Sequence, residues 1–317
     1  MRKKTDRQPE LWNALPWLSV MALVILMMAA AELLHEKEII FPEITALAVG
    51  YILAKKRAWI VDSKRILILI TGCAVLGLLI VLYIPLSLRG QICLAFAVSQ
   101  LIFLYSGTTL APFVSAIVLP VILQTKSWIY PVSAFLLTLV VIALHGLFIR
   151  LGIREDEPYV PTAIPTRQEW FDAVLRTVVV SAAACFALKY NVRFVIAPPL
   201  LVAFTEFSRP LNPARKRPVK VILLLTACAA AGTLCRLVLT NAAGLPLSVS
   251  AGAATLIMML LVRKTGMYMP PAGAVTILTF LVPDEALVFF PLQVLAGISL
   301  LMGITLLMFE PLQKGRA

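Results

Sequence analysis

Twelve apolar runs follow one another along this chain, at roughly 13–34, 39–54, 66–86, 91–105, 109–124, 131–151, 169–190, 194–207, 218–240, 245–262, 268–283 and 286–309. Short stretches of charge, proline or glycine separate them. Inside a bilayer no water meets backbone N–H and C=O groups, so a spanning segment must satisfy its own, as a helix does. Several runs reach the ~20 residues that cross about 30 Å of hydrocarbon. Others, such as 39–54 and 194–207, are shorter and are expected to be tilted, broken or re-entrant. With 61% hydrophobic and 14% charged residues among 317, the chain reads as an all-α polytopic membrane protein in contact with the lipid bilayer.

The net charge of +12 could suggest nucleic acid, but the basic residues fall in short clusters between apolar runs and form no stripe. Membrane orientation explains them better. Cys73, Cys93, Cys185, Cys228 and Cys235 all lie in apolar segments and never pair as CxxC. They read as small buried residues, with no disulfide framework and no metal or other cofactor expected.

The chain also repeats itself. "TGCAVLG" at Thr71–Gly77 returns as "TACAAAG" at Thr226–Gly232, and "IFPE" at Ile40 returns as "IAPP" at Ile196. "SGTTLAPFVSAIVL" from Ser106 returns as "TGMYMPPAGAVTIL" from Thr265, and "IYPVSAFL" at Ile129 as "FFPLQVLA" at Phe289. Four anchors in one order, at offsets of 155 to 160 residues, argue for an internal duplication. The expected organisation is a first membrane repeat at 1–153, a cytoplasmic linker at 154–168 and a second membrane repeat at 169–317. The linker lies within "REDEPYVPTAIPTRQE", whose charges and three prolines predict an extended segment.

Lys and Arg give the orientation. With "MRKKTDR" in the cytoplasm and the runs counted alternately, "AKKRAWIVDSKR", the linker, "RPLNPARKRPVK", "RKTG" and "QKGRA" all fall inside. The loops around His35–Glu38, Ser87–Gly90, Asn241–Gly244 and Asp284–Glu285 fall outside and are poor in basic residues. Twelve segments with both termini cytoplasmic fit the positive-inside rule. Six segments per half makes the repeats parallel; one re-entrant segment per half would invert them. The first run resembles a signal peptide in "MMAAAELL". Its length and its counterpart, "LWNALPWL" against "WFDAVLRT", mark it as a retained helix.

"GTTLAP" at 107–112 and "GMYMPP" at 266–271 form a pair: each supplies glycine for a turn and then opens a helix at proline. A helix start carries unpaired N–H groups and partial positive charge, and short helices meeting near the midplane hold substrate in many transporters. "FPEIT" and "APPLL" start helices from the other side. Gly273 admits either a second backbone or a small solute, and Pro and Gly also serve packing alone in membrane helices. The expected substrate-binding residues are Thr108, Thr109, Pro112, Ser115, Tyr268, Met269, Pro270, Pro271 and Gly273, contributing helix-end N–H groups and hydroxyls.

Ionisable groups inside the apolar runs are a second set of candidates. Arg176 is placed to pair with Glu43 or with an anionic solute, and Glu206 adjoins a basic loop. Arg236 lies within five residues of Asn241 and the outer surface, a snorkelling distance. His145 reads as a packing histidine. GxSxG, HExxH and P-loop patterns are missing, so catalysis is not expected.

"APPLLVAFTEFSRPLNPARKRPVKVILLLTACAAAG" followed by "MPPAGAVTIL" resembles the HPP family of integral membrane proteins. The likeness covers 193–309 and reaches 39–151 only through the internal repeat, so the chain resembles two fused family units. Met269 stands where the family has its hallmark histidine, and the first copy reads Leu110-Ala111-Pro112. Some plant-plastid and cyanobacterial members are associated with nitrite transport, which is what the resemblance implies. The expectation is a bacterial inner-membrane transporter or channel for a small solute, nitrite or another small anion among the candidates, with a site at the repeat interface. A membrane scaffold or assembly subunit is the alternative, and the sequence leaves the oligomeric state open.

Overall fold

In a computed structural model, which describes residues 10–54, 56–210 and 212–309, the chain is helical and no strand occurs among these residues. The terminal stretches "MRKKTDR" and "QKGRA" lie outside the described residues.

Eight helices are long and apolar enough to cross a membrane. They are α1 (Glu10–Leu33), α3 (Ser63–Tyr83), α4 (Leu88–Tyr105), α6 (Ile129–Arg150), α7 (Arg167–Lys189), α9 (Pro218–Cys235), α10 (Leu247–Thr265) and α13 (Phe290–Ile304). α9 runs on through a π-helical stretch at Arg236–Ala242, and α13 through another at Thr305–Phe309. The other four apolar runs form shorter helices: α2 (Glu43–Ala48, prolonged by a π-helical turn to Leu53), α5 (Pro112–Leu123), α8 (Pro198–Phe207) and α11 (Pro270–Leu278). A single turn, α12 (Asp284–Leu287), precedes α13.

Local chemistry fixes several ends. Asp62 caps α3 through the Arg65 N–H, and Thr166 with Glu169 forms a capping box at α7. Gly107 and Gly266 both adopt positive φ in the turns before α5 and α11, a conformation glycine takes without penalty.

The short helices form the centre. Every residue of α11, and nearly every residue of α2, α5 and α8, is buried. The long helices surround them and turn side chains such as Leu26, Ile68, Leu136, Val178, Leu223 and Leu292 outward, the face a lipid tail would meet. Contact between helices in lipid depends on close packing and small residues. Gly77 of α3 is such a residue: a Cβ there would stand 2.4 Å from the Ile117 carbonyl oxygen of α5. Gly232 of α9 takes the same place against α11, where a Cβ would stand 2.6 Å from the Thr276 carbonyl oxygen. The glycines that close "TGCAVLG" and "TACAAAG" are therefore where a long helix meets a short one.

The halves interlock. α1 packs on α10 and α4 on α7, while at the centre α2 packs on α11 and α5 on α8. On one face Glu32 of α1 accepts the Leu247 and Ser248 N–H groups at the start of α10. The linker lies on the opposite face and is tied down along its length. Arg154 donates to the Ala54 and Tyr51 carbonyls, Glu157 accepts from the Arg57 N–H, and Tyr159 donates to the Gly107 carbonyl. Burial lowers the Arg154 guanidinium from its ordinary range, with Arg57 adding to the effect and Glu157 opposing it. Extended in conformation, this segment is a strap, not a free tether. The cysteines are all free.

Candidate functional site

The four short helices begin at or just after proline, and the reason is a shortage of acceptors. A helix start leaves N–H groups unpaired, and within a packed membrane core no water meets them. Pro270 and Pro271 open α11 with no N–H to satisfy. The next donor, the Ala272 N–H, reaches the Met269 carbonyl at 3.0 Å. Pro198 and Pro199 do the same for α8, followed by the Leu200 N–H on the Ala197 carbonyl at 2.8 Å. Pro112 opens α5, and the Val114 N–H reaches the Ala111 carbonyl at 2.9 Å. The expected rows of free N–H groups are thus largely absent from these starts. Gly273 likewise faces protein: a Cβ there would stand 2.8 Å from Thr45 Cγ2 of α2.

Open space lies just outside the helix starts, on the linker face. A cavity of about 520 Å³ is bounded by Ala58 and Trp59 of the first half and by Glu206, Arg209, Asn212, Lys216, Arg217 and Met267–Pro270 of the second. Within it the Trp59 indole N–H donates to the Glu206 carboxylate at 2.7 Å, a bond between the halves. A smaller cavity of about 270 Å³ is bounded by Thr108 and Thr109, the linker residues Thr162 and Ala163, and Asp172, Arg176 and Arg209. Arg209 lines both. Burial lowers its guanidinium from the ordinary value, against the pull of Glu206 and Glu169. Among the described residues no carboxylate comes within salt-bridge distance of it.

Tyr268, Met269 and Pro270 thus line the larger cavity with Glu206, and Thr108 and Thr109 the smaller one with Arg176. Pro112, Ser115, Pro271, Gly273 and Glu43 are buried in the centre. The Thr109 hydroxyl accepts the Ile60 N–H at 2.8 Å, and Thr108 Oγ1 accepts the Leu110 N–H at 3.3 Å, so both hydroxyls help to hold loops. Tyr268 meets Trp17 edge-on, with ring centroids 6.3 Å apart. Arg176 donates to Gln100 of the first half at 2.7 Å and to Ser208 at 3.2 Å. Glu43 instead accepts the Ser115 hydroxyl. Arg236 reaches the face opposite the linker, where it donates to the Thr279 and Val282 carbonyls at the end of α11 and to Asp284. His145 stacks on Tyr51 with centroids 3.9 Å apart.

Trp59, Arg209, Lys216 and Arg217 were not among the expected site residues. Their signal was in the sequence, as "AKKRAWIVDSKR" and "RPLNPARKRPVK", but it served only to set orientation. Among the described residues no three His, Cys, Asp or Glu side chains come together as a metal ion would require. No family model, no curated protein and no solved structure matches this chain.

Proposed function

We propose that this chain is a transporter of a small solute, with its cytoplasmic binding site in the 520 Å³ cavity. In this reading the four short helices complete twelve crossings, six in each of two parallel repeats. The linker face, which gathers the basic loops, is cytoplasmic and the membrane is a bacterial inner membrane.

The observation that carries the proposal is a cavity bounded by both halves, with charged side chains in its wall and helix starts at its inner end. A scaffold would have no need of such a space. Three cations, Arg209, Lys216 and Arg217, face it against the single carboxylate of Glu206, so the solute is a small anion. Met269, Pro270 and Tyr268 give it an apolar floor. A solute moving inward or outward must part α2 from α11 or α5 from α8, the contacts that join the halves. The matching contacts made by Gly77 and Gly232 support a duplication, with rocking of one half on the other as the natural motion.

Uptake into proteoliposomes of nitrite, nitrate, formate and chloride tests this. Nitrite comes first because the HPP resemblance implies it. One anion should enter saturably, with Arg209→Gln raising its KM about tenfold, the worth of one contact of ~1.4 kcal/mol. Absence of flux for all four from folded protein would sink the anion reading and favour the scaffold.

A further inference from the structure

Glu43 opens α2 where that helix crosses α5, and its residue is only 1% exposed. One carboxylate oxygen accepts the Ser115 hydroxyl; the other, Oε2, meets no protein donor. The elements packed around Glu43 bring it no balancing charge. α5 brings Ser115, and α6 brings Tyr130, which meets Phe41 edge-on and donates its hydroxyl to the Ala116 carbonyl at 2.9 Å. On the α11 side Gly273 meets Thr45, and on the α1 side Met27 takes the Phe41 N–H. Among the described residues no Lys, Arg or His comes within salt-bridge distance of Glu43.

Tyr130 and Ile40, three residues before Glu43, line a cavity of about 230 Å³ on the face opposite the linker. A carboxylate taken out of water needs a counter-ion or a full set of donors, and this one has neither. At membrane depth such a group points to ion or proton handling.

We infer that Glu43 is a proton-binding site, loaded through the cavity beside Tyr130, and that it couples solute movement to a proton gradient. The step adds one proton to a carboxylate oxygen and later gives it up, with no other bond changing. The coupling rests on the transport reading; the proton site does not.

Infrared difference spectra of the reconstituted protein test the site. At neutral pH the wild type should show the carbonyl stretch of a protonated carboxyl that is lost in Glu43→Gln and shifts in heavy water. Ser115→Ala should move its frequency. Identical wild-type and Glu43→Gln spectra would overturn the inference. If Glu43→Gln does not fold, Glu43→Asp makes the same comparison: the band must move, and an unmoved band overturns the site. For coupling, nitrite uptake is measured with and without an inward proton gradient. A several-fold stimulation that falls to none in Glu43→Gln supports coupling, and one unchanged in Glu43→Gln overturns it. A wild type that moves no solute yet shows the Glu43 band sinks the transport reading and leaves the proton site standing.

Discussion

The two halves of this molecule make a like contact between a long and a short helix and differ at the centre. Gly77 and Gly232 occupy matching positions and do the same work, admitting a short helix against a long one. Prolines open α5, α8 and α11, whose residues are almost all buried. Yet where the first half carries Glu43 and Ser115, the corresponding positions of the second carry Pro199 and Ala274. The first pair is a carboxylate held by a hydroxyl; the second has no side-chain donor or acceptor. The like contact answers a demand every buried short helix makes, so it recurs. Polar chemistry at that depth is costly, and the proposed proton site needs only one copy of it. The difference between the halves is therefore a better guide to function than their likeness.

The comparison breaks first at the glycines. Gly77→Leu and Gly232→Leu should each prevent a stable fold, since the new side chain begins 2.4 Å from a backbone oxygen in one case and 2.6 Å in the other. The alanine variants should cost about 1–3 kcal/mol, the usual range for overpacking, and should cost it equally in the two halves. Thermal unfolding of the solubilised protein measures this. A large inequality would mean that the two contacts are not alike.

Next comes the polar seam between the halves. Gln100→Leu removes the acceptor of a charge-assisted bond to the buried Arg176 guanidinium, an interaction worth about 1.5–3 kcal/mol. Stability should fall by that order. Trp59→Phe keeps an aromatic ring but withdraws the donor from Glu206. It should cost no more than about 1 kcal/mol, the worth of one hydrogen bond, because Glu206 lines the cavity and keeps access to water. Solute affinity should change only with Trp59→Phe, because Gln100 does not line the larger cavity. Equal effects of the two on KM would argue that the cavity is not the site.

How much of this was legible in the sequence varies with the physics involved. Helices were legible because runs such as 66–86 have only one way to satisfy their backbone in lipid. The starts of α5 and α11 were legible because Gly107, Pro112, Gly266 and Pro270 punctuate them. What those prolines leave free was not legible, since the Ala272 and Leu200 N–H groups find backbone carbonyls that only the folded turns supply. A proline looks like the mark of an anion-binding helix start until one asks which N–H groups remain. The partners of Arg176 were beyond reach because Gln100 and Ser208 lie on other helices, brought together only by the interlocking of the halves. Arg209 was hidden in a basic loop whose charges had another sufficient explanation. Periodicity shows which face is buried, but not which loop folds back over a helix start.

The smallest expected effect concerns the strap. Glu157 pairs with Arg57, whose side chain is nearly buried while that of Glu157 is 39% exposed. Arg57 also donates to the Val61 carbonyl and lies over the Tyr51 ring at 5.7 Å. Because water screens the exposed partner and Arg57 keeps these other contacts, Glu157→Gln should lower stability by no more than about 1 kcal/mol. Added salt should weaken the wild-type pair and so narrow the gap. The strap is also held by the Tyr159 hydroxyl on the Gly107 carbonyl at 2.7 Å and by the Thr162 N–H on the same oxygen at 2.9 Å. These two bonds anchor it at the turn that precedes α5, beside the smaller cavity. Tyr159→Phe should therefore loosen the first half's turn and leave its partner at Gly266 untouched. Amide exchange at Gly107 and Thr108 should rise while exchange at Gly266 and Met267 stays as it was. A rise at both turns would mean that the strap acts on the whole linker face, and the two halves would then differ less than their sequences imply.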